Sequence, residues 1–325
     1  MRIHIAVLLI FLLNIIPAHT STIDRSISFY YDNDSFLKTD HSHTAATRIT
    51  WILPGSGELS KSSLLRLLPF RRGKDFTDRV ALSLGGSMFT PDDISISTLI
   101  LEDRPYAGYN YFSAAFIGRA ENVFESFEIS LGIVGPLSLS ELVQKAVHNI
   151  VGSRRPEGWD NQLDNELILQ VYYDRIWKQN PAGPGKGLKR EILPRMSIGL
   201  GNGLIYGGLA LFARAGWNIP NDFGPPVNRP AGLRGVSPVS NGSGSFYGFI
   251  SLDAFVNIRN IFLDGNTFAD SHSVDKYMFT VDLNWGIVAR FSKLQVSLTH
   301  TLWTKRYILE SFNHQFIRLS LSYLY

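Results

Sequence analysis

A run of oxygen-bearing side chains near the start of the chain has the composition of a cation site. Residues 32–35 read Asp-Asn-Asp-Ser, and Thr39, Asp40 and His41 follow closely. Carboxylate, amide and hydroxyl oxygens at such spacing suit a hard cation such as calcium. The same residue types are common turn formers, so the spacing by itself also allows a plain turn.

A second candidate lies in residues 136–164, the one segment with convincing helical periodicity. Ser138 and Glu141 have the spacing of a capping box, and apolar residues then recur at helical intervals: Leu139, Leu142, Val143, Ala146, Val147 and Ile150. The other face presents Glu141, Gln144, Lys145 and His148. An imidazole there can act as a base, although a lone histidine is more often a solvated surface residue.

Residues 90–109 supply a third polar group. They contain Thr90-Pro91-Asp92-Asp93 and later Glu102-Asp103-Arg104-Pro105-Tyr106-Ala107-Gly108-Tyr109. The planar guanidinium of Arg104 can bind a phosphate or a carboxylate. An internal ion pair with Glu102 or Asp103 is the alternative.

Composition excludes several classes of protein. The 325 residues include no cysteine, which excludes disulfide scaffolds, thiolate zinc sites and cysteine nucleophiles. The sequence has no Gly-x-Ser-x-Gly, His-Glu-x-x-His, P-loop or dinucleotide-binding motif. The 31 basic and 28 acidic residues form no basic stripe, so we expect no nucleic-acid partner.

Residues 1–20 have the layout of a secretory signal peptide. Arg2 precedes an apolar run over residues 5–16, which is too short to span a bilayer, and Pro17 and small residues follow it. We therefore expect the mature domain to comprise residues 21–325. No later segment offers about 18 uninterrupted apolar residues, which excludes a helical membrane protein.

The rest of the chain shows a two-residue alternation of apolar and polar side chains. In the last segment Ile317, Leu319, Leu321, Tyr323 and Tyr325 share one face, and Arg318, Ser320 and Ser322 share the other. Twelve segments of this kind can be counted: 26–36, 43–53, 77–88, 108–119, 124–135, 165–177, 191–203, 207–218, 245–259, 275–290, 293–304 and 314–325. The pattern predicts an all-β, transmembrane antiparallel β-barrel of about twelve strands, with a short helix in an extracellular loop. A soluble secreted β-sandwich is the alternative.

Strand parity places the candidate residues at one end of the barrel. With both termini in the periplasm, connections after odd-numbered strands lie outside the cell, and 37–42, 89–107 and 136–164 are of this kind. Asp34, Arg104 and His148 should therefore share one rim. Connections 54–76 and 219–244 are long for periplasmic turns, which indicates either extra structure or a miscount.

Five motifs in the first half of the chain resemble a known family. They are Asp32-Asn33-Asp34-Ser35-Phe36; Thr90-Pro91; Asp103-Arg104-Pro105-Tyr106-Ala107-Gly108; Leu131-Gly132-x-x-Gly135-Pro136; and Gln144-x-x-x-His148 leading to Gly158-Trp159-Asp160-x-Gln162. In this order, over residues 26 to about 175, they resemble the outer-membrane lipid A 3'-O-deacylase family. The remaining residues agree with the family only in strand pattern.

The resemblance implies a fold, a place and a reaction. It implies a twelve-stranded barrel integral to the bacterial outer membrane, with a site between the barrel wall and a helix of an outer loop. Members are calcium-dependent esterases that remove the 3'-linked acyloxyacyl chain from lipid A of lipopolysaccharide. We expect the chain to be a monomer.

The resemblance also implies roles for individual residues. His148 would be the general base, Asp34 the calcium ligand, and Asn33 a neighbour that orients the metal or the substrate. The acidic partner is open between Glu157 and Glu166.

Basic side chains near these motifs are candidates for substrate binding. The lipid headgroup is polyanionic, so Arg104, Lys145 and Arg154 could bind it. Arg154 also stands six residues after His148, where an acid was sought.

Two other functions fit a twelve-stranded barrel. One is a porin-like channel without catalysis. The other is an outer-membrane phospholipase, whose chemistry normally uses a Ser-His pair that we do not identify in this sequence.

Overall fold

The described residues form a closed antiparallel barrel of twelve strands. The computed structural model describes residues 25–34, 42–54, 77–179, 187–226, 228–229, 232–233 and 244–325. The barrel strands are β1 (Ser26–Asn33), β2 (Ser42–Pro54), β3 (Thr77–Thr90), β4 (Ala107–Arg119), β5 (Val123–Val134), β6 (Glu166–Trp177), β7 (Leu188–Gly201), β8 (Leu204–Trp217), β11 (Ser245–Asn260), β12 (Phe279–Phe291), β13 (Leu294–Trp303) and β14 (His314–Leu324). The predicted fold class and strand number are confirmed.

Strand boundaries depart from the prediction mainly at loop ends. Residues 275–278 continue the alternation, but the strand β12 begins at Phe279 because the preceding residues make only scattered backbone contacts, such as the isolated bridge between Lys276 and Tyr307. Alternation alone does not detect where a strand loses its neighbour. The proposed signal peptide, residues 1–20, lies outside the described residues.

The barrel closes where the first strand pairs with the last. Ser26 pairs with Leu324 and Asn33 with Ile317, while the other edge of β1 pairs with β2. Both termini therefore lie at one end of the barrel, which we call the lower end. The upper end carries the ends of β1, β3 and β5.

The two faces of the wall have opposite chemistry. On β8, Leu209 and Leu211 are 66% and 54% exposed on the outside, whereas Phe212 and Arg214 are almost fully buried inside. The same alternation along β14 buries Arg318, Ser320 and Ser322, as predicted. An apolar exterior and a polar lumen are the arrangement of a membrane-spanning barrel.

The middle of the lumen holds a network of buried charges. Glu128 accepts hydrogen bonds from Arg48 at 3.1 Å and from Arg229 at 2.7 Å. Arg229 also lies 3.4 Å from a carboxylate oxygen of Asp174 and 3.6 Å from the ring centre of Tyr172. Paired in this way, the charges need no water to compensate them.

The long connection after β8 fills the lower part of the lumen. Asp222 pairs with Arg214, and Phe223 is 1% exposed with its carbonyl accepting from Arg195 at 2.9 Å. Further along, two-residue strands β9 (Asn228–Arg229) and β10 (Gly232–Leu233) pair with each other. Of the two explanations for the length of 219–244, extra structure is the correct one. Residues 55–76 lie outside the described residues.

Helices are few among the described residues. α1 (Ser140–Val151) lies in the connection after β5, and α2 (Ile261–Asp264) follows β11 directly. None of the described helices has the length and apolarity needed to cross a membrane.

Candidate functional site

The helix α1 packs against the outside of the barrel wall. Tyr109 and Tyr111 point into the lumen, so Gly108 and Asn110, which alternate with them along the strand, face outward. The amide of Asn110 donates to the carbonyl oxygen of Ser138 at 2.5 Å, just before the helix. A Cβ atom at Gly108 would collide with the side chains of Ser138 and Ser140, so the absence of a side chain lets the helix approach.

The helix begins differently from the capping-box prediction, which is wrong. It starts at Ser140, its N-cap is Leu139 in a left-handed conformation with φ 58°, and no side chain caps it. Ser138 instead belongs to a short 3-10 turn that starts at Pro136. Its carbonyl and hydroxyl are used in docking against β4, which the sequence pattern could not indicate.

The histidine lies on the face of α1 that is turned toward the protein. His148 is 6% exposed, and Ser140 and Gln144 are the other buried residues of the helix. The helix ends at Gly152 with φ 72°, where the amide of Ser153 donates to the His148 carbonyl at 3.0 Å. This left-handed turn brings the Arg154 carbonyl into contact with Nδ1 of His148.

Because a carbonyl oxygen only accepts, Nδ1 of His148 carries the proton of that contact in neutral imidazole. Nε2 is then the basic nitrogen. The sequence left the acidic partner of this histidine open and has Arg154 six residues after it. The structure uses the backbone of Arg154 for this contact and leaves its side chain exposed.

A buried pair of residues fixes the helix in place. Trp159 donates from Nε1 to Oε1 of Gln144 at 2.7 Å, and both side chains are 1% exposed. Trp159 also packs on Tyr106, with ring centres 5.0 Å apart. Gln144 stands four residues before His148, and the structure confirms the prediction that both share one face of the helix.

At the end of β1 the two predicted residues face different environments. Asn33 follows the outward-facing Tyr31 and donates to its hydroxyl at 3.1 Å. Asp32 points inward and binds Arg318 through two hydrogen bonds of 2.6 and 2.5 Å. Asp34 comes directly after the strand and is fully buried.

The shared rim predicted for these residues is confirmed. β1 and β4 are three strand spacings apart, or about 14 Å. α1 has twelve residues and is therefore about 18 Å long. It runs from β4 toward the loop above β3, where the amide of Glu157 donates to the carbonyl of Ile94 at 2.8 Å. Asn33 and His148 thus lie on the same side of the wall at the same end.

Arg104 is at the upper end but in a separate cluster. It is 2% exposed, lies 4.5 Å from the ring centre of Phe89, and donates to the carbonyl of Phe262 at 3.4 Å. Burial lowers the pKa of Arg104 from its ordinary value. Its neighbour Asp103 accepts a hydrogen bond of 2.5 Å from the hydroxyl of Tyr307. These contacts are internal, so we do not include Arg104 in the proposed site.

Of the other predicted polar residues, Lys145 and Glu157 form ion pairs near the surface, whereas Glu166 connects loops. Lys145 is paired with Glu141 at 2.5 Å on the exposed side of α1. Glu157 is paired with Arg155 at 3.5 Å. Glu166 accepts hydrogen bonds from Asn202 at 2.9 Å and from the amide of Thr267 at 2.7 Å, and so ties loops together at the upper end.

Within the described residues, no three side chains of His, Asp or Glu lie close enough to form a metal cluster. The neighbouring candidates Ser35, Thr39, Asp40 and His41 lie outside these residues. Asp34 offers two carboxylate oxygens, of the type that Ca²⁺ prefers. Waters, carbonyls or ligand oxygens would have to supply the remainder of a calcium shell.

An apolar outer wall and a lumen that holds buried ion pairs define an outer-membrane β-barrel. Comparison with known proteins agrees. The family model of outer membrane protein LpxR matches residues 4–325. The chain belongs to the LpxR family, a family of outer-membrane, lipid A-modifying enzymes.

A solved structure has the same fold. LpxR from Salmonella typhimurium is similar with a TM-score of 0.75 at 14% identity, covering 92% of this chain and 100% of that one. The translocator domain of autotransporter NalP from Neisseria meningitidis has a TM-score of 0.42 at 10% identity, covering 94% and 90%. The KdgM porin has a TM-score of 0.38 at 6% identity, covering 92% and 99%. No curated protein sequence matches the chain.

Proposed function

We propose that this protein hydrolyses the ester of the 3'-linked acyloxyacyl chain of lipid A, with His148 as general base and calcium as cofactor. The observation that carries the proposal is the burial of His148 on the inward face of α1, with Nδ1 turned to the Arg154 carbonyl. The resemblance described above supports the substrate and the bond cleaved.

The reaction needs a base, a positioned ester and stabilisation of negative charge. Nε2 of His148 takes a proton from water as the water oxygen attacks the ester carbonyl carbon. The tetrahedral intermediate then expels the sugar 3'-oxygen, which receives the proton from the imidazolium. The products are a free acyloxyacyl acid and lipid A with a 3'-hydroxyl, so atoms and charge balance.

The Asp34 carboxylate and the Asn33 amide have oxygen donors of the type that calcium takes. Asp34 would hold the ion, and Asn33 would orient the ion or the substrate from the outward side of β1. A bound divalent cation would polarise the ester carbonyl and stabilise the developing oxyanion. Because one carboxylate gives few of the six to eight oxygens that calcium takes, substrate oxygens would complete the shell.

Lys145 and Arg154 support recognition of an anionic headgroup. Both lie near His148, one on the exposed edge of α1 and one just after the helix, and the side chain of Arg154 is exposed. A guanidinium or an ammonium there can contact a lipid phosphate.

Mass spectrometry of lipid A tests the proposal. Cells expressing the wild type should yield lipid A that lacks the 3'-linked chain, and His148→Ala should abolish this product. Asn149→Ala is the matched control, because Asn149 is the exposed neighbour on the same helix. Slower electrophoretic migration on heating should show that both variants fold. Unchanged product from His148→Ala would remove the assigned role.

The calcium requirement is tested separately. Purified protein treated with a chelator should lose activity and regain it on addition of calcium, whereas Asp34→Ala should not be rescued. Activity that survives the chelator would contradict the cofactor.

The lumen argues against the porin-like alternative. Residues 219–226 occupy its lower part, and Arg229 pairs with Glu128 and Asp174 inside the lumen. These contacts favour a filled lumen over an open channel. A phospholipase would instead release fatty acid from phospholipid, which the same mass analysis would detect.

A further inference from the structure

The exposed face of α1 is apolar, which is the reverse of a helix on a water-soluble protein. The buried residues of the helix are Ser140, Gln144 and His148. The exposed ones include Leu142 at 66%, Val143 at 49%, Val147 at 44% and Ile150 at 72%. A helix that faced water would turn these side chains toward the protein core.

The helix has a second, charged edge. At about 100° per residue, Glu141, Lys145 and Asn149 follow one another along one side of the buried face, while the apolar residues occupy the opposite side. Glu141 and Lys145 are paired with each other and partly exposed. A helix with separate apolar and charged sides is typical of a membrane interface.

The apolar face continues into other exposed surfaces. Leu99 and Leu101 of the loop after β3 are 41% and 73% exposed, and that loop is tied to the segment after α1 by a hydrogen bond of 2.8 Å from Asn161 to the Ser97 carbonyl. On the strands beside the helix, Phe112 and Leu131 are 48% and 51% exposed on the outer wall. The exposed apolar residues of α1 therefore lie beside the lipid-facing belt of the barrel. Patches of this kind on soluble monomers are rarely larger than a few hundred Å².

We propose that α1 lies in the outer leaflet of the membrane, with its apolar face among lipid acyl chains and its charged edge at the headgroups. The occupant of this surface is the hydrocarbon of the leaflet itself. The inference rests on the barrel and the exposed side chains, and it holds whether or not the protein is an enzyme. If the proposed function is correct, a substrate lipid reaches His148 sideways, without leaving the leaflet.

The absence of cysteine makes the test direct. Single variants Leu142→Cys, Ile150→Cys and Glu141→Cys each carry one nitroxide label, and Leu131→Cys on the belt is the reference for hydrocarbon. The proteins are reconstituted in vesicles of phosphatidylethanolamine and phosphatidylglycerol. Spin relaxation by oxygen, which concentrates in hydrocarbon, is compared with relaxation by a water-soluble nickel chelate.

Labels at Leu142→Cys and Ile150→Cys should show an oxygen-to-nickel accessibility ratio several-fold above that of Glu141→Cys and similar to that of Leu131→Cys. Equal ratios at Leu142→Cys and Glu141→Cys would place the helix in water and overturn the inference. The same four variants, solubilised in detergent, should still hydrolyse lipid A. Loss of hydrolysis would therefore contradict the proposed function, whereas the accessibility ratios test the leaflet contact separately.

Discussion

Replacing Arg229 by an uncharged residue tests whether the connection after β8 blocks the lumen of the barrel. Arg229 is 3% exposed and lies 2.7 Å from Glu128 and 3.4 Å from Asp174. In Arg229→Met the volume is nearly kept and the charge is lost. Glu128 keeps Arg48 at 3.1 Å but loses the closer of its two guanidinium partners.

The size of the effect follows from burial. Removing one partner of a buried ion pair costs roughly 3–5 kcal/mol, because the remaining charge is poorly compensated. At 1.4 kcal/mol per tenfold, the docked form of the segment should lose about two to four orders of magnitude in population relative to the open form. A barrel of twelve strands is intermediate in diameter between barrels of about 8 strands, whose interior is filled by side chains, and channel-forming barrels of about 16 to 18 strands.

Conductance in planar bilayers measures the result. Wild-type protein should be silent, and Arg229→Met should show openings that become longer when Asp222→Asn, which weakens the second anchor at Arg214, is added. Arg190→Met, at an exposed outer position, is the control and should remain silent. If the double variant neither conducts nor unfolds at a lower temperature, these ion pairs do not hold the segment.

Three further changes have defined outcomes. Burial lowers the pKa of Lys178 to about 8 from 10.5. Because the unfolded chain binds that proton more tightly, the free energy of unfolding should rise as the pH increases between these two values. Thermal melts of Lys178→Met should lack this rise. Trp159→Phe leaves a buried amide oxygen without its donor, which costs about 1–3 kcal/mol locally; lipid A turnover should fall while Trp285→Phe, on the outer wall, keeps it. Gly108→Val should displace α1 and abolish turnover in a folded barrel, whereas Ala114→Val on the same strand should not; equal turnover in both would contradict the docking described.

The barrel was predictable because successive residues of a strand face lipid and lumen in turn, so that apolar and polar side chains alternate along the sequence. Along β14 the outward positions from Ile317 onward are apolar or aromatic, and the inward positions from Arg318 onward are polar until Leu324. The alternation extends over most of each strand, so twelve strands could be counted from it. Strand ends were less certain because alternation continues where regular strand pairing has ended, as at 275–278.

The site was predictable only in part. Parity of the connections placed Asp34 and His148 at one end, and the motif resemblance named them. The resemblance also implied a helix beside the barrel wall, but it could not show how α1 docks there, since this depends on the missing side chain of Gly108 and on the amide of Asn110. The burial of Arg104 depends on the later residues Phe262 and Tyr307. Their contacts with the loop after β3 cannot be predicted from any local sequence pattern.

The pairing of β1 with β14 also determines when the molecule can be completed. Ser26 and Leu324 are almost the whole chain apart, and each edge stays unsatisfied until the other arrives. Contacts of such sequence separation form slowly. A chain shortened by its final strand would expose two unpaired edges, so assembly in the membrane has to wait for the last residues to be delivered.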